Sequence, residues 1–204
     1  MNKQKLVRLS DYSPYPFVIP LIELDFRIYD EYVSLISLLH IEPLKEEAIP
    51  LILQGKDLEL EELSILGISS SGLDYHLSES CLTIFNAPTR PFCLRIIYRI
   101  NPYENTSLEG LYLSEGMLTT QCEAEGFRRI CFHPDRPDVL SKYRVRIEAD
   151  LLKYPLLLSN GNKISSSSIS TNSLRHESLW DDPYPKPSYL FALVAGDLEQ
   201  VKDN

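Results

Sequence analysis

The chain has 204 residues, 44% of them hydrophobic and 24% charged, which suits a globular domain with one good core or two small ones. Its formal net charge of -9 argues against nucleic-acid binding, which needs Lys and Arg to displace counterions from phosphates. No apolar run is long enough to cross a bilayer, so no membrane partner is expected.

The amino-terminal stretch MNKQKLVRLSDYSPYPF has basic residues but no apolar segment before Asp11 and Pro14, and no targeting segment is expected. Period-two alternation follows. Over 22–29, Ile22, Leu24, Phe26 and Ile28 alternate with Glu23, Asp25, Arg27 and Tyr29; over 143–149, Tyr143, Val145, Ile147 and Ala149 alternate with Arg144, Arg146 and Glu148. Strands with one wet face imply antiparallel sheets. Further strands are expected over 32–41, 57–66, 81–85, 92–100, 117–123 and 188–195, with a solvated loop over 42–50. Turn signals separate them at Gln54-Gly55, Ser71-Gly72, Asn101-Pro102, Ser159-Asn160-Gly161 and Asp182-Pro183. Asn160-Gly161 predicts a hairpin, because both residues tolerate positive φ. Asp135 through Leu140 is the best helix signal, with an Asp to cap and a Pro to begin. The Ser-rich 164–173 reads as a flexible hairpin tip, and Trp180 through Pro185 as a rigid connection packed on a sheet. Together these predict a mainly β, sandwich-like antiparallel domain with at most one or two short helices.

Chemistry is sparse. His40, His76, His133 and His176 fall at no metal-binding helix spacing and read as surface or strand histidines. There is no GxSxG elbow and no glycine-rich phosphate loop. Cys81, Cys93, Cys122 and Cys131 form no CxxC pair and read as reduced, mostly buried thiols of a cytoplasmic protein, although a Cys122–Cys131 bridge is allowed on paper. Cys122 reads as a small buried hydrophobe, and a carboxylate beside it would raise its pKa. Gln121 and Glu123 share a face if 117–123 is a strand. Taken alone, a QxE pair describes only the wet side of such a strand.

Context changes that reading. Thr119 to Asp138 reads TTQCEAEGFRRICFHPDRPD; it is preceded by NTSLEGLY at 105–112 and followed by KYPLLLSNGN at 153–162 and PYPKPSYLFALVAGD at 183–197. These blocks, with DRPDVL at 135–140, resemble the amino-terminal region of the aminopeptidase N family of zinc metallopeptidases, in its bacterial branch. The resemblance spans about 55 to 198 and implies a saddle-shaped, mainly antiparallel β domain at the amino-terminal end of the enzyme.

It also implies roles. Glu123 is expected to hold the substrate's free α-amino group, together with the glutamate of a GxMEN segment that this chain lacks. Gln121 is expected to fix the pose beside it. Glu125 should be structural or solvent-facing, and Gly126-Phe127-Arg128 fits the bacterial branch. The implied partners are a peptide amino terminus and the catalytic domain of the same polypeptide. The implied cofactor is zinc, held there by HExxH and a downstream Glu. With HExxH and GxMEN both absent, the 204-residue chain alone is expected to bind no catalytic zinc and to hydrolyse nothing. The alternative is a freestanding, non-catalytic β module that binds peptide amino termini or a partner protein.

Overall fold

A computed structural model describes residues 8–68, 72–170 and 172–201, Asn172 and Ser173 by their backbone alone. Ser71 of the Ser71-Gly72 turn and Thr171 of the serine-rich tip lie outside the described residues. The largest sheet has seven strands in the order β12 (Asn162–Ile169), β13 (Asn172–Pro187), β10 (Leu140–Asp150), β1 (Phe17–Ile28), β2 (Val33–Pro43), β7 (Phe92–Ile100) and β4 (Glu59–Ile65). A four-stranded sheet follows the order β11 (Leu156–Ser159), β14 (Leu193–Gly196), β9 (Met117–Gln121) and β8 (Gly110–Ser114). A three-stranded one follows β3 (Leu51–Gln54), β6 (Cys81–Ile84) and β5 (Tyr75–Leu77). Among the described residues helical structure is confined to short 3-10 turns, such as Gly126–Arg129 and Ser188–Leu190. The domain is mainly β.

Alternation explains the largest sheet. The inner row of β1, Ile22, Leu24, Phe26 and Ile28, is buried and pairs with Tyr143, Val145 and Ile147 on one side and Leu39 and Leu35 on the other. That face shares one core with Leu51, Leu53, Leu82 and Ile84 of the three-stranded sheet and with Leu111, Leu118, Leu157 and Leu193 of the four-stranded one. The outer row is ionic. Arg146 donates to Asp25 at 2.6 Å, Glu177 at 2.7 Å and Glu148 at 2.8 Å, so one guanidinium ties three strands across the wet face.

The structure departs from several expectations. β1 and β10 are parallel, which more than a hundred intervening residues make room for. Asn160-Gly161 does not join a hairpin. β11 pairs with β14 and β12 with β13, so this turn carries the chain from one sheet to another. Gly161 has φ +84 as expected, and a Cβ there would overlap the Asp181 carbonyl oxygen. Most of the serine-rich run is an edge strand, β12, whose pairing with β13 shifts register at two points, and Trp180 through Pro185 belongs to β13. No helix forms over 135–140, where a turn closed by Val139 N–H on the Arg136 carbonyl stands instead. The expected strand over 188–195 is a 3-10 turn followed by the short β14.

Candidate functional site

β9 lies between β8 and β14, with Gln121 opposite Gly110 and Thr119 opposite Val194. The strand ends at Gln121, two residues earlier than its alternation suggested, because the chain turns tightly there. The Gly126 N–H donates to the Cys122 carbonyl at 2.8 Å, closing a five-residue turn. Glu123 therefore projects from a turn and not from a strand face. The Glu123–Ala124 peptide in this turn is cis. Gly126 is needed on steric grounds, since a Cβ at that position would overlap the Gln121 carbonyl oxygen.

The two expected site residues do come together. Gln121 Nε2 donates to the backbone carbonyl of Glu123 at 3.1 Å, and both side chains are exposed. Cys122 between them points inward and is 3% exposed. Burial, and secondarily the Asp135 charge, pushes its thiol well above the usual range, so the raising carboxylate is Asp135 and not the adjacent Glu123.

The acids around Glu123 are differently placed. Glu125 is ion-paired with Arg128 at 3.2 Å, while Asp57 and Glu109 are both paired with Arg129. The Glu123 carboxylate has no ion pair or side-chain hydrogen bond among the described residues. Arg128 and Arg129 are thus shared among four carboxylates, Asp135 included, so the region keeps a negative balance, and the exposed Glu123 is left without an ion pair.

The sequence pattern did not reveal what anchors this turn. Asp135 caps no helix of its own. Its Oδ2 accepts from both the backbone N–H and the Nε of Arg128, each at 3.1 Å, and its Oδ1 accepts from Ser188 Oγ at 2.6 Å. Its own N–H donates to Gln54 Oε1 at 3.1 Å. With its side chain only 1% exposed, Asp135 ties four separate segments together in the interior. An Asp followed by Arg and Pro looks like a cap in sequence, and only the fold shows that the amide it caps is seven residues upstream.

The histidines do not converge. His40 Nε2 lies 2.8 Å from Glu23, His176 Nε2 lies 2.7 Å from the Tyr154 carbonyl, and His76 is exposed on β5. His133, expected at the surface or in a strand, forms an isolated antiparallel β-bridge with Gln54 and is completely buried, with its ring packed edge-on to Phe127. Among the described residues no group of three His, Cys, Asp or Glu could hold a metal ion. All four cysteines are free, Cys122 and Cys131 fully buried and Cys81 and Cys93 partly so. No helix among the described residues is long and apolar enough to cross a membrane.

Comparison with known proteins places this geometry. The profile of the peptidase M1 N-terminal domain family matches residues 38–190. The chain is 46% identical over 197 residues to aminopeptidase N of Caulobacter vibrioides, covering 97% of this chain and 22% of that protein. Among solved structures, an aminopeptidase A of Legionella pneumophila, in complex with aspartic acid, superposes with a TM-score of 0.85 at 34% identity, covering 95% of this chain and 23% of that one. An M1 zinc metallopeptidase of Deinococcus radiodurans shares the fold, with a TM-score of 0.75 at 16% identity over 90% of this chain and 43% of that one. The chain therefore spans about a fifth of the length of the curated relatives it matches.

Proposed function

The chain belongs to the peptidase M1 N-terminal domain family, and from that premise we propose that it is the amino-terminal β domain of a bacterial zinc aminopeptidase, supplying part of the site that recognises a peptide's free amino terminus. The observation that carries this reading is the exposed Glu123 carboxylate, left without an ion pair while Glu125, Asp57 and Glu109 share Arg128 and Arg129 with the buried Asp135.

The chemistry follows from charge. A peptide α-amine titrates near pH ~7.7–8.0, and a neighbouring carboxylate favours its protonated, three-donor form. An unneutralised carboxylate attracts that form, whereas an internal amide carries no charge to attract. Gln121, with Nε2 occupied by the Glu123 carbonyl, keeps Oε1 to accept one of the amine's N–H groups. The pair thus sets both where the amine sits and how it points. Zinc, which the Deinococcus relative carries in its name, would supply a polarised scissile carbonyl and an activated water from the remainder of a longer polypeptide. The residues of this chain bind and orient. Its partners in this reading are peptide substrates and the catalytic part of the same polypeptide, in the cytoplasm.

The test is Glu123→Ala in the complete polypeptide, assayed on an amino-acid anilide with a free α-amine. Loss of a charge-assisted hydrogen bond of about 1.5–3 kcal/mol predicts a fall in kcat/KM of roughly 10- to 100-fold, mostly in KM. Turnover within twofold of the parent would remove the basis of this reading.

A further inference from the structure

Glu123 sits on a turn whose own contacts are few, so something must hold it in register. We propose that Asp135 is the positioning residue for the Glu123 carboxylate, acting through Arg128. This rests on the assignment of Glu123 as the amine-binding group. Three observations converge on it.

First, the five-residue turn is closed at its base by Gly126 N–H on the Cys122 carbonyl, and the 3-10 turn Gly126–Arg129 follows without a break. Whatever fixes Arg128 fixes the trailing end of the Glu123 turn. Second, Arg128 is held at both its backbone and its side chain by the same carboxylate oxygen of Asp135. It also reaches back to Glu125 at 3.2 Å, two residues from Glu123, so the guanidinium links the buried anchor to the exposed turn. Third, the anchor is itself braced. The Ser188 hydroxyl occupies the second Asp135 oxygen and the Gln54 side chain holds its amide, so the carboxylate has a single available pose.

The arrangement also has an electrostatic consequence. Arg128 lies between the turn and the interior with 24% of its side chain exposed, and its charge is shared by Asp135 and Glu125. Were Asp135 neutral, that guanidinium would keep only its pair with Glu125, two residues from the unpartnered Glu123, and could turn toward the Glu123 carboxylate and compete with an incoming ammonium. Asp135 therefore holds the turn in place and keeps Arg128 off the amine site. Both effects act on substrate binding.

The experiment is a double-mutant cycle in the complete polypeptide on the same free-amine anilide, with Asp135→Asn, Glu123→Ala and the double variant, read as separate kcat and KM values. Asp135→Asn is expected to raise KM about tenfold with kcat within about twofold, and the double variant to be no worse than Glu123→Ala alone. A merely structural role would instead lower the active fraction, and so kcat, at unchanged KM, with losses that multiply in the double variant. Either pattern overturns the proposal. Should Asp135→Asn not fold, Ser188→Ala, which removes a single hydrogen bond from the same carboxylate, decides the cycle with an expected KM rise of about threefold. A silent Glu123→Ala sinks the amine-site reading and this inference together. An effective Glu123→Ala beside a silent Asp135→Asn overturns this inference alone.

Discussion

His133 has no exposed surface, and neither of its ring nitrogens has a hydrogen-bond partner among the protein groups. Burial alone lowers its pKa from the ordinary 6.5 to about 3. Between those values the unfolded chain binds a proton that the folded one does not, so stability falls as pH drops below 6.5 and the loss levels off near 3. The slope from this one residue is about 1.4 kcal/mol per pH unit. Denaturant titrations at pH 7.5 and pH 5 should therefore show a larger acid loss in the parent than in His133→Phe, by about 2 kcal/mol. Equal losses would mean that the ring is protonated, or exposed, in the native state. The two interior cysteines point the same way. Burial raises Cys131 to about 12 and Cys122 further, so neither is a thiolate at neutral pH, and both behave as small apolar side chains. In the proposed reading the site thus rests on the exposed Gln121 and Glu123, with the buried residues between and behind them serving as support.

At the scale of elements, the turn at Gly161 is the clearest case of backbone constraint. It stands at φ +84, with no room for a Cβ beside the Asp181 backbone, at the point where the chain leaves the four-stranded sheet for the edge of the seven-stranded one. Gly161→Ala should cost about 1–3 kcal/mol, measured by chemical denaturation. A neutral substitution would show that the turn can relax without disturbing either sheet. The same region shows what alternation can and cannot reveal. β1, β2, β7 and β10 each bury one face and wet the other, and their strands could be read from residues such as Ile22 to Ile28 and Tyr143 to Ala149. β12 buries almost nothing and carries four consecutive serines, so it has no alternation to read; its strand exists because β13 offers a partner. β13 was hidden by Pro183, Pro185 and Pro187. These lie beyond Asp181, where the pairing with β12 ends, so their missing N–H groups cost the sheet little. Asp135 was misread for a related reason: its true bonding partners, Arg128 and Ser188, are 7 and 53 residues away, beyond any local pattern. As candidates, Gln121 and Glu123 stand out only through the surrounding sequence blocks. The tight turn that lifts Glu123 off the strand depends on Gly126 having no side chain to strike the Gln121 carbonyl, which is a tertiary fact.

At the scale of the molecule, one continuous core joins three sheets, and the turn that carries Glu123 leaves the four-stranded sheet where Arg128, Arg129 and Asp135 bind it to segments from all along the chain. A framework of this kind suits presenting one carboxylate to chemistry performed elsewhere. Family membership and the coverage of only 22% of the Caulobacter relative fit that division of labour. The central claim is that this chain works as one domain of a larger zinc-dependent aminopeptidase. It is tested most directly by the mass of the native polypeptide in its own cells, detected with an antibody to these 204 residues and followed through purification against hydrolysis of a free-amine anilide. The account predicts a band several times heavier than 23.4 kDa that co-purifies with a hydrolase inactivated by chelation and restored by zinc. A band at 23.4 kDa, parted from any such activity, would contradict it and leave a freestanding β module.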